Sequence, residues 1–164
     1  MNKPLSLAEQ QKIVAEAEYA QRFLLSYYFA WNTGRKELLH RLYSQTSKLL
    51  WNGLVYQGAD IINLFDKIYQ QMCFTSFDYQ VIDDTHMLLT SFGMLALDND
   101  PTTARMFSHQ FVIEASKANP QQQQVTTIIL SENFRWVVKV DSELFKQEFG
   151  KYENTQNNTM GNIV

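Results

Sequence analysis

Cysteine is nearly missing from this chain: there is one, Cys73. A single thiol makes no internal disulfide and no cysteine-rich zinc site, and such usage fits a reducing compartment. The histidines are few. His40, His86 and His109 are scattered without metal-ligand spacing, and no metal or cofactor is expected. The net charge is −3 and no basic block occurs. That argues against direct nucleic-acid binding, which depends on clustered Lys and Arg. No apolar run is long enough for a bilayer, and the start "MNKPLSLAEQQ" lacks an apolar h-region. Neither a membrane span nor a signal peptide is therefore expected. No Gly-rich phosphate loop, Gly-x-Ser-x-Gly elbow or internal repeat is present.

Large rings are abundant, with 11 Phe, 8 Tyr and 3 Trp among 164 residues. The length suits one domain with a real core. Ser6 and Glu9 form a Ser-x-x-Glu capping box. After it, Ile13, Ala17, Ala20, Leu24, Tyr27, Tyr28 and Trp31 recur at helical spacing, so a helix is expected to about Asn32, with Gly34 as its stop. "RKELLHRLY" suggests a short second helix. "GADIINLFDKIYQQM" suggests a third, with Ile61, Phe65, Ile68 and Met72 on one face. Between them, Asn52-Gly53 in "LLWNGLVYQG" predicts a two-residue hairpin turn, since both residues tolerate positive φ.

Beyond Met72 the period changes. "FDYQVID" and "ARMFSHQFVIEA" alternate, "HMLLTSFGMLAL" is apolar on both faces, and "VTTIILSENFRWVVKV" is rich in β-branched and aromatic residues. Turns are expected at Asp83–Thr85, at Asp98–Thr103 and at Ala118–Gln124. The expected fold is α+β: three N-terminal helices packed on one face of a curved antiparallel sheet. Residues 1–149 form the expected domain. Residues 150–164, "GKYENTQNNTMGNIV", are expected as a polar, disordered tail.

The segments "FLLSYYFAW", "LLHRLYSQTSKLLWNG", the Gly58 before "ADIINLF", "FSHQFVI" and "ENFRW" carry a resemblance in their order and spacing. Across about Ala20 to Val137 the chain resembles the nuclear transport factor 2-like family, whose fold is a cone of helices on a curved sheet. Within that family, "ELLHRLY…LLWNG" looks most like the small NXT-type subunit of the mRNA export receptor. The resemblance implies a non-enzymatic adaptor that heterodimerises, sheet face to sheet face, with the matching domain of a large export receptor. The pair would move messenger ribonucleoprotein through pores lined with Phe-Gly nucleoporins and shuttle between nucleus and cytoplasm. Two charged positions carry over. The family's strand aspartate falls on Asp83, with Phe77 and Val81 in register, and its arginine between aromatics falls on Arg135, between Phe134 and Trp136. Each is implied to pair with an opposite charge on the partner.

Strand alternation puts Phe134 and Trp136 on one face and Arg135 on the other, and a planar bidentate donor suits a partner carboxylate. A turn-initiating role for Asp83 beside Asp84 stays open, as does an intramolecular pair or a solvated position for Arg135. "LDNDPTT" resembles the acidic loop with which nuclear transport factor 2 contacts the GDP form of Ran, through Asp98 and Asp100 here. A homodimeric Ran-GDP carrier is therefore the main alternative. Asn52 speaks against it, because a contact acid is expected where this neutral residue stands, and so does a loop that looks longer before "FSHQF". A calcium loop is rejected, since Thr103 and His109 occupy the positions that need Gly and Glu. Pocket enzymes with this fold form a third class. Their chemistry needs a perturbed acid or base, and the candidates here are His109, Tyr27, Tyr28 and Asp78. His109 lies between Phe107 and Phe111 and reads first as a hydrogen-bonded core or rim histidine, and the tyrosines continue a core stripe.

Overall fold

The computed structural model describes residues 3–117 and 125–160. The chain opens with α1 (Leu7–Asn32), α2 (Lys36–His40), β1 (Tyr43–Trp51), β2 (Leu54–Gln57) and α3 (Ala59–Phe65). β3 (Gln70–Val81), β4 (His86–Leu97), β5 (Asp100–Lys117), β6 (Val125–Lys139) and α4 (Ser142–Met160) follow. One six-stranded sheet has the order β2-β1-β6-β5-β4-β3. Neighbours are antiparallel except β1 and β6, which run parallel. This is the expected α+β cone, with α1, α2 and α3 packed on the inner face of the sheet and α4 on the outer face.

The capping box starts α1 as the sequence requires. Glu9 N–H donates to Ser6 Oγ at 3.2 Å, and Ser6 N–H donates to the Glu9 carboxylate at 2.7 Å. The helical stripe is core only from Ala20 onward; Ile13 and Val14 are exposed. From there Leu24, Tyr27, Tyr28 and Trp31 lie buried against Phe107, Phe111, Phe134 and Leu89 of the inner sheet face. Rings dominate this core. Trp51 stacks on Phe134 at 4.2 Å between centroids, and Trp31 meets Phe65 edge-on at 4.8 Å. Each fully buried Phe contributes about 1.5–3 kcal/mol.

Asn52 and Gly53 take φ of 49° and 88°, forming the predicted turn between β1 and β2. Asn52 also does something its turn preference does not reveal. Its Oδ1 accepts from Trp136 N at 2.7 Å and its N–H donates to Phe134 O at 2.9 Å, so the hairpin is tied to the end of β6.

Four expectations are corrected. The third helix stops at Phe65 and does not reach Met72. Lys36 Nζ donates to the carbonyls of Phe65 and Ile68, which occupies the carbonyls at and just past its end, and Gln70 and Met72 then alternate inward on β3. The loop expected at Asp98–Thr103 is a two-residue turn. Asp98 and Asn99 both take positive φ, 50° and 57°, and β5 begins at Asp100. β4 is covered on both faces only in its second half, because Phe92 is 45% exposed on the outer side.

The fourth correction concerns the tail. Residues 150–160, expected to be disordered, continue α4. Its polar composition hid a few anchors. Phe145 and Phe149 cover Cys73, Met94, Ala96 and Ala104 on the outer sheet face. Tyr152 packs edge-on against Phe74 at 5.5 Å, and Gln156 donates to Leu25 O at 3.2 Å. The Ala118–Gln124 turn and the last four residues of the expected tail lie outside the described residues.

Gly93 sits opposite the irregularity in β3 between Phe74 and Ser76. A Cβ there would meet Cys73 O at 2.0 Å, so the close strand approach requires glycine.

Candidate functional site

The outer face of the sheet has two zones. α4 covers the zone around Met94 and Ala104. The other zone is open. Cross-strand register sets Arg135, Ser108, Phe92 and Ser76 in one row across β6, β5, β4 and β3, with Asn133, Gln110, Thr90 and Asp78 in the next. Phe92, Met106 and Val137 stand exposed in and beside the first row. Arg135 points outward, as alternation predicts, because its neighbour Phe134 is fully buried. Among the described residues its guanidinium has no hydrogen bond or ion pair. An unpaired guanidinium among exposed apolar side chains is equipped to meet a carboxylate on another surface.

Asp83 lies at the far edge, in the turn between β3 and β4. Its Oδ1 accepts from Thr85 N at 2.9 Å and from His86 N at 2.8 Å. The backbone bond from Thr85, then the His86 ring, hold its carboxyl down at about 2. The side chain is still 54% exposed. The structure does not bring Asp83 and Arg135 together: Asp83 is in the β3–β4 turn, and Arg135 is on β6, beyond β4 and β5 in the sheet. His86 itself stands between two acids, Asp83 and Glu114, and both raise its pKa, the hydrogen bond to Asp83 most.

Asp98 and Asp100 occupy the tight β4–β5 turn, both exposed. Asp100 Oδ1 accepts from Thr102 N at 3.0 Å and from Thr102 Oγ1 at 2.7 Å, and those bonds lower its pKa. Asp78 lies on the outer face, away from the cone interior.

Inside the cone, His109, Tyr27 and Tyr28 do converge. His109 Nε2 lies 2.8 Å from Glu132 Oε2, and Tyr27 OH donates to the same oxygen at 2.8 Å. Tyr43 OH donates to Glu132 Oε1. Tyr28 OH lies 3.0 Å from His109 Nδ1 and 2.5 Å from Ser91 Oγ. Burial lowers the His109 pKa against the pull of Glu132, and burial raises all three tyrosines well above their usual value. Sequence reading found the histidine and two tyrosines but not Glu132, which sits in "SENF" looking like a solvated strand residue. Its inward parity with Phe134 was the available signal.

This resembles a catalytic constellation in type, but its members are buried in the described structure. None of the six residues exceeds 9% exposure, and neither of two surface clefts touches them. One cleft, about 880 Å³, runs between α1 and α4 beside Phe74 and Tyr152; the other, about 250 Å³, lies beside Arg105 and Trp136.

The family model described as Nuclear transport factor 2 (NTF2) domain matches residues 19–142, ending where α4 begins. Among curated proteins, no sequence matches. Among solved structures, the chain is similar to nuclear transport factor 2 from Cryptosporidium parvum at TM-score 0.63 and 24% identity, covering 74% of this chain and 94% of that one. It is similar to a chain in the complex of yeast deubiquitinase Ubp3 and its Bre5 cofactor, at 0.58 and 16%, covering 75% and 98%. It is also similar to a candidate dehydratase of the NTF2-like family from Streptomyces avermitilis, at 0.60 and 16%, covering 79% and 99%. At these identities the likeness speaks for the fold, which serves binding proteins and enzymes alike.

Proposed function

This chain belongs to the nuclear transport factor 2 domain family, and on that premise we propose that it is a non-enzymatic adaptor that docks another domain of the same fold on its open sheet face. The partner we infer is the matching domain of a large mRNA export receptor, so that the pair serves mRNA export through nuclear pores and shuttles between nucleus and cytoplasm. The supporting observation is the contrast between the two faces of the sheet. The inner polar groups are buried and bonded to one another, as structural groups of a core are. The outer face presents exposed Arg135, without a side-chain partner among the described residues, beside exposed Phe92, Met106 and Val137. A similar solved chain comes from a deubiquitinase–cofactor complex, so the fold is found in protein assembly there.

Arg135 would pair with a carboxylate of the partner and lose its water on docking. Removing one member of a desolvated pair costs about 2–5 kcal/mol, about 30-fold or more in affinity. Mixing the purified chain with the receptor domain should give a 1:1 complex by light scattering, weakened by that factor in Arg135→Glu. Unchanged affinity in Arg135→Glu removes the interface assignment. Capture of Ran-GDP that is lost in Asp98→Asn/Asp100→Asn would replace the adaptor with the carrier.

A further inference from the structure

The β3–β4 turn carries Asp83, the second position implied to meet a partner, and His86 leans over it. His86 Nδ1 is 2.8 Å from Asp83 Oδ1 and 2.9 Å from Oδ2, while Nε2 is 3.0 Å from Glu114 Oε2 on β5. A neutral imidazole carries one N–H and donates from one nitrogen only. With a carboxylate at each nitrogen, the ring satisfies both only as imidazolium. His86 and Glu114 are direct cross-strand partners, and Ala115 N–H donates to Thr85 O at 2.7 Å, so the turn is already seated on β5.

We propose that His86 is a protonation-dependent mask over Asp83: as imidazolium it clasps the Asp83 carboxylate to Glu114, and on losing its proton it frees that carboxylate for an Arg or Lys of the docking partner. This inference rests on the reading that Asp83 belongs to the partner-binding surface.

Three features make the mask specific to the side chain. The backbone N–H groups of Thr85 and His86 hold Asp83 Oδ1 in either protonation state, so the turn keeps its shape when the ring lets go. Among the described residues, the charged groups facing the ring are Asp83 from the turn and Glu114 from β5; Asp84 follows in the turn and is exposed. Val81, which ends β3, and Ile82, next to Asp83 in the chain, are 37% and 56% exposed, apolar surface of the kind an interface covers. The protonated cluster therefore carries one net negative charge and the deprotonated one carries two, so the attraction for a partner cation grows as pH rises. Both acids hold the His86 pKa above its ordinary value, Asp83 the more strongly.

If docking needs the unmasked carboxylate, apparent affinity falls with the unmasked fraction, up to about tenfold per pH unit below the ring's pKa. Two measurements test this on the full chain. The first is an NMR titration of the His86 ring in wild type, Asp83→Asn and Glu114→Gln; its pKa should drop in both variants, and no change in Asp83→Asn overturns the clasp. The second is calorimetry with the receptor domain between about pH 5.5 and about pH 8.5, the range in which a histidine titrates. Wild-type affinity should rise with pH, and His86→Gln should bind as wild type does at high pH throughout. A flat wild-type profile, or the same slope in His86→Gln, overturns the mask. No complex at any pH refutes the partner reading and the mask with it, while the NMR result decides the clasp separately.

Discussion

Replacing Glu132 by Leu tests whether the buried polar cluster is structure or latent chemistry. Glu132 accepts from three buried donors: Tyr27 OH, Tyr43 OH and the His109 ring. Leu is of similar size and accepts nothing, so three donors are orphaned in a region where Glu132 is 2% exposed. Each orphaned buried donor costs about 1–3 kcal/mol, or about 3–9 kcal/mol together. Relief of a buried charge and a tautomer shift of His109 offset part of that. A net loss of about 3–5 kcal/mol is expected, a large share of the roughly 5–15 kcal/mol available to a domain. The diagnostic step is the rescue. Adding Tyr27→Phe and Tyr43→Phe removes two of the three orphans, and replacing both partners of a hydrogen bond by apolar groups is nearly neutral. The triple variant should therefore be more stable than Glu132→Leu alone by at least about 2 kcal/mol. Urea unfolding followed by the tryptophans Trp31, Trp51 and Trp136 reads this directly. A Glu132→Leu variant within about 1 kcal/mol of wild type refutes the reasoning, as does a triple variant no more stable than the single. A stabilising Glu132→Leu would point to a strained, functional carboxylate and reopen the enzyme reading.

Two further outcomes follow from the same geometry. Burial keeps the His109 pKa below its ordinary value in the fold, so as pH falls below about 6.5 the unfolded chain takes up the proton first. Stability should then fall by about 1.4 kcal/mol per pH unit, fully present above that pH, and urea midpoints at falling pH should lose this slope in His109→Gln but not in His86→Gln. Cys73 lies under α4 with its thiol pushed up to about 12 by burial, so it should resist a thiol reagent in the native chain. Phe145→Ala should cost about 3–5 kcal/mol and expose the thiol; equal labelling rates in both proteins would refute the packing of α4 on the sheet.

Much of this molecule is fixed by local physics and can be read from the chain. The capping box at Ser6, the Asn52-Gly53 turn, the stripe from Ala20 to Trp31 and the parity of Phe134, Arg135 and Trp136 each depend on residues close in sequence. The order of these elements identified the family, because period and turn chemistry propagate over only a few residues and family segments keep that order. Other features depend on groups far apart in the chain. Met72 fits a helix of period 3.6 and a strand of period 2 equally well, and only its pairing opposite Leu95 on β4 decided for the strand. α4 is polar through most of its length, and it is ordered because Phe145, Phe149 and Gln156 find a sheet face and α1, surfaces that no local pattern predicts. Glu132 and His109 are 23 residues apart, and both lie inward only because neighbouring strands pair in a register that puts them there. The same holds for His86 between Asp83 and Glu114, where one acid is local and the other arrives across the sheet. Sequence dictates which residues carry charge and which face of an element they take. The tertiary structure decides whether a charge meets a partner, water or an empty surface, because Coulomb and hydrogen-bond energies depend on distances that the fold alone sets.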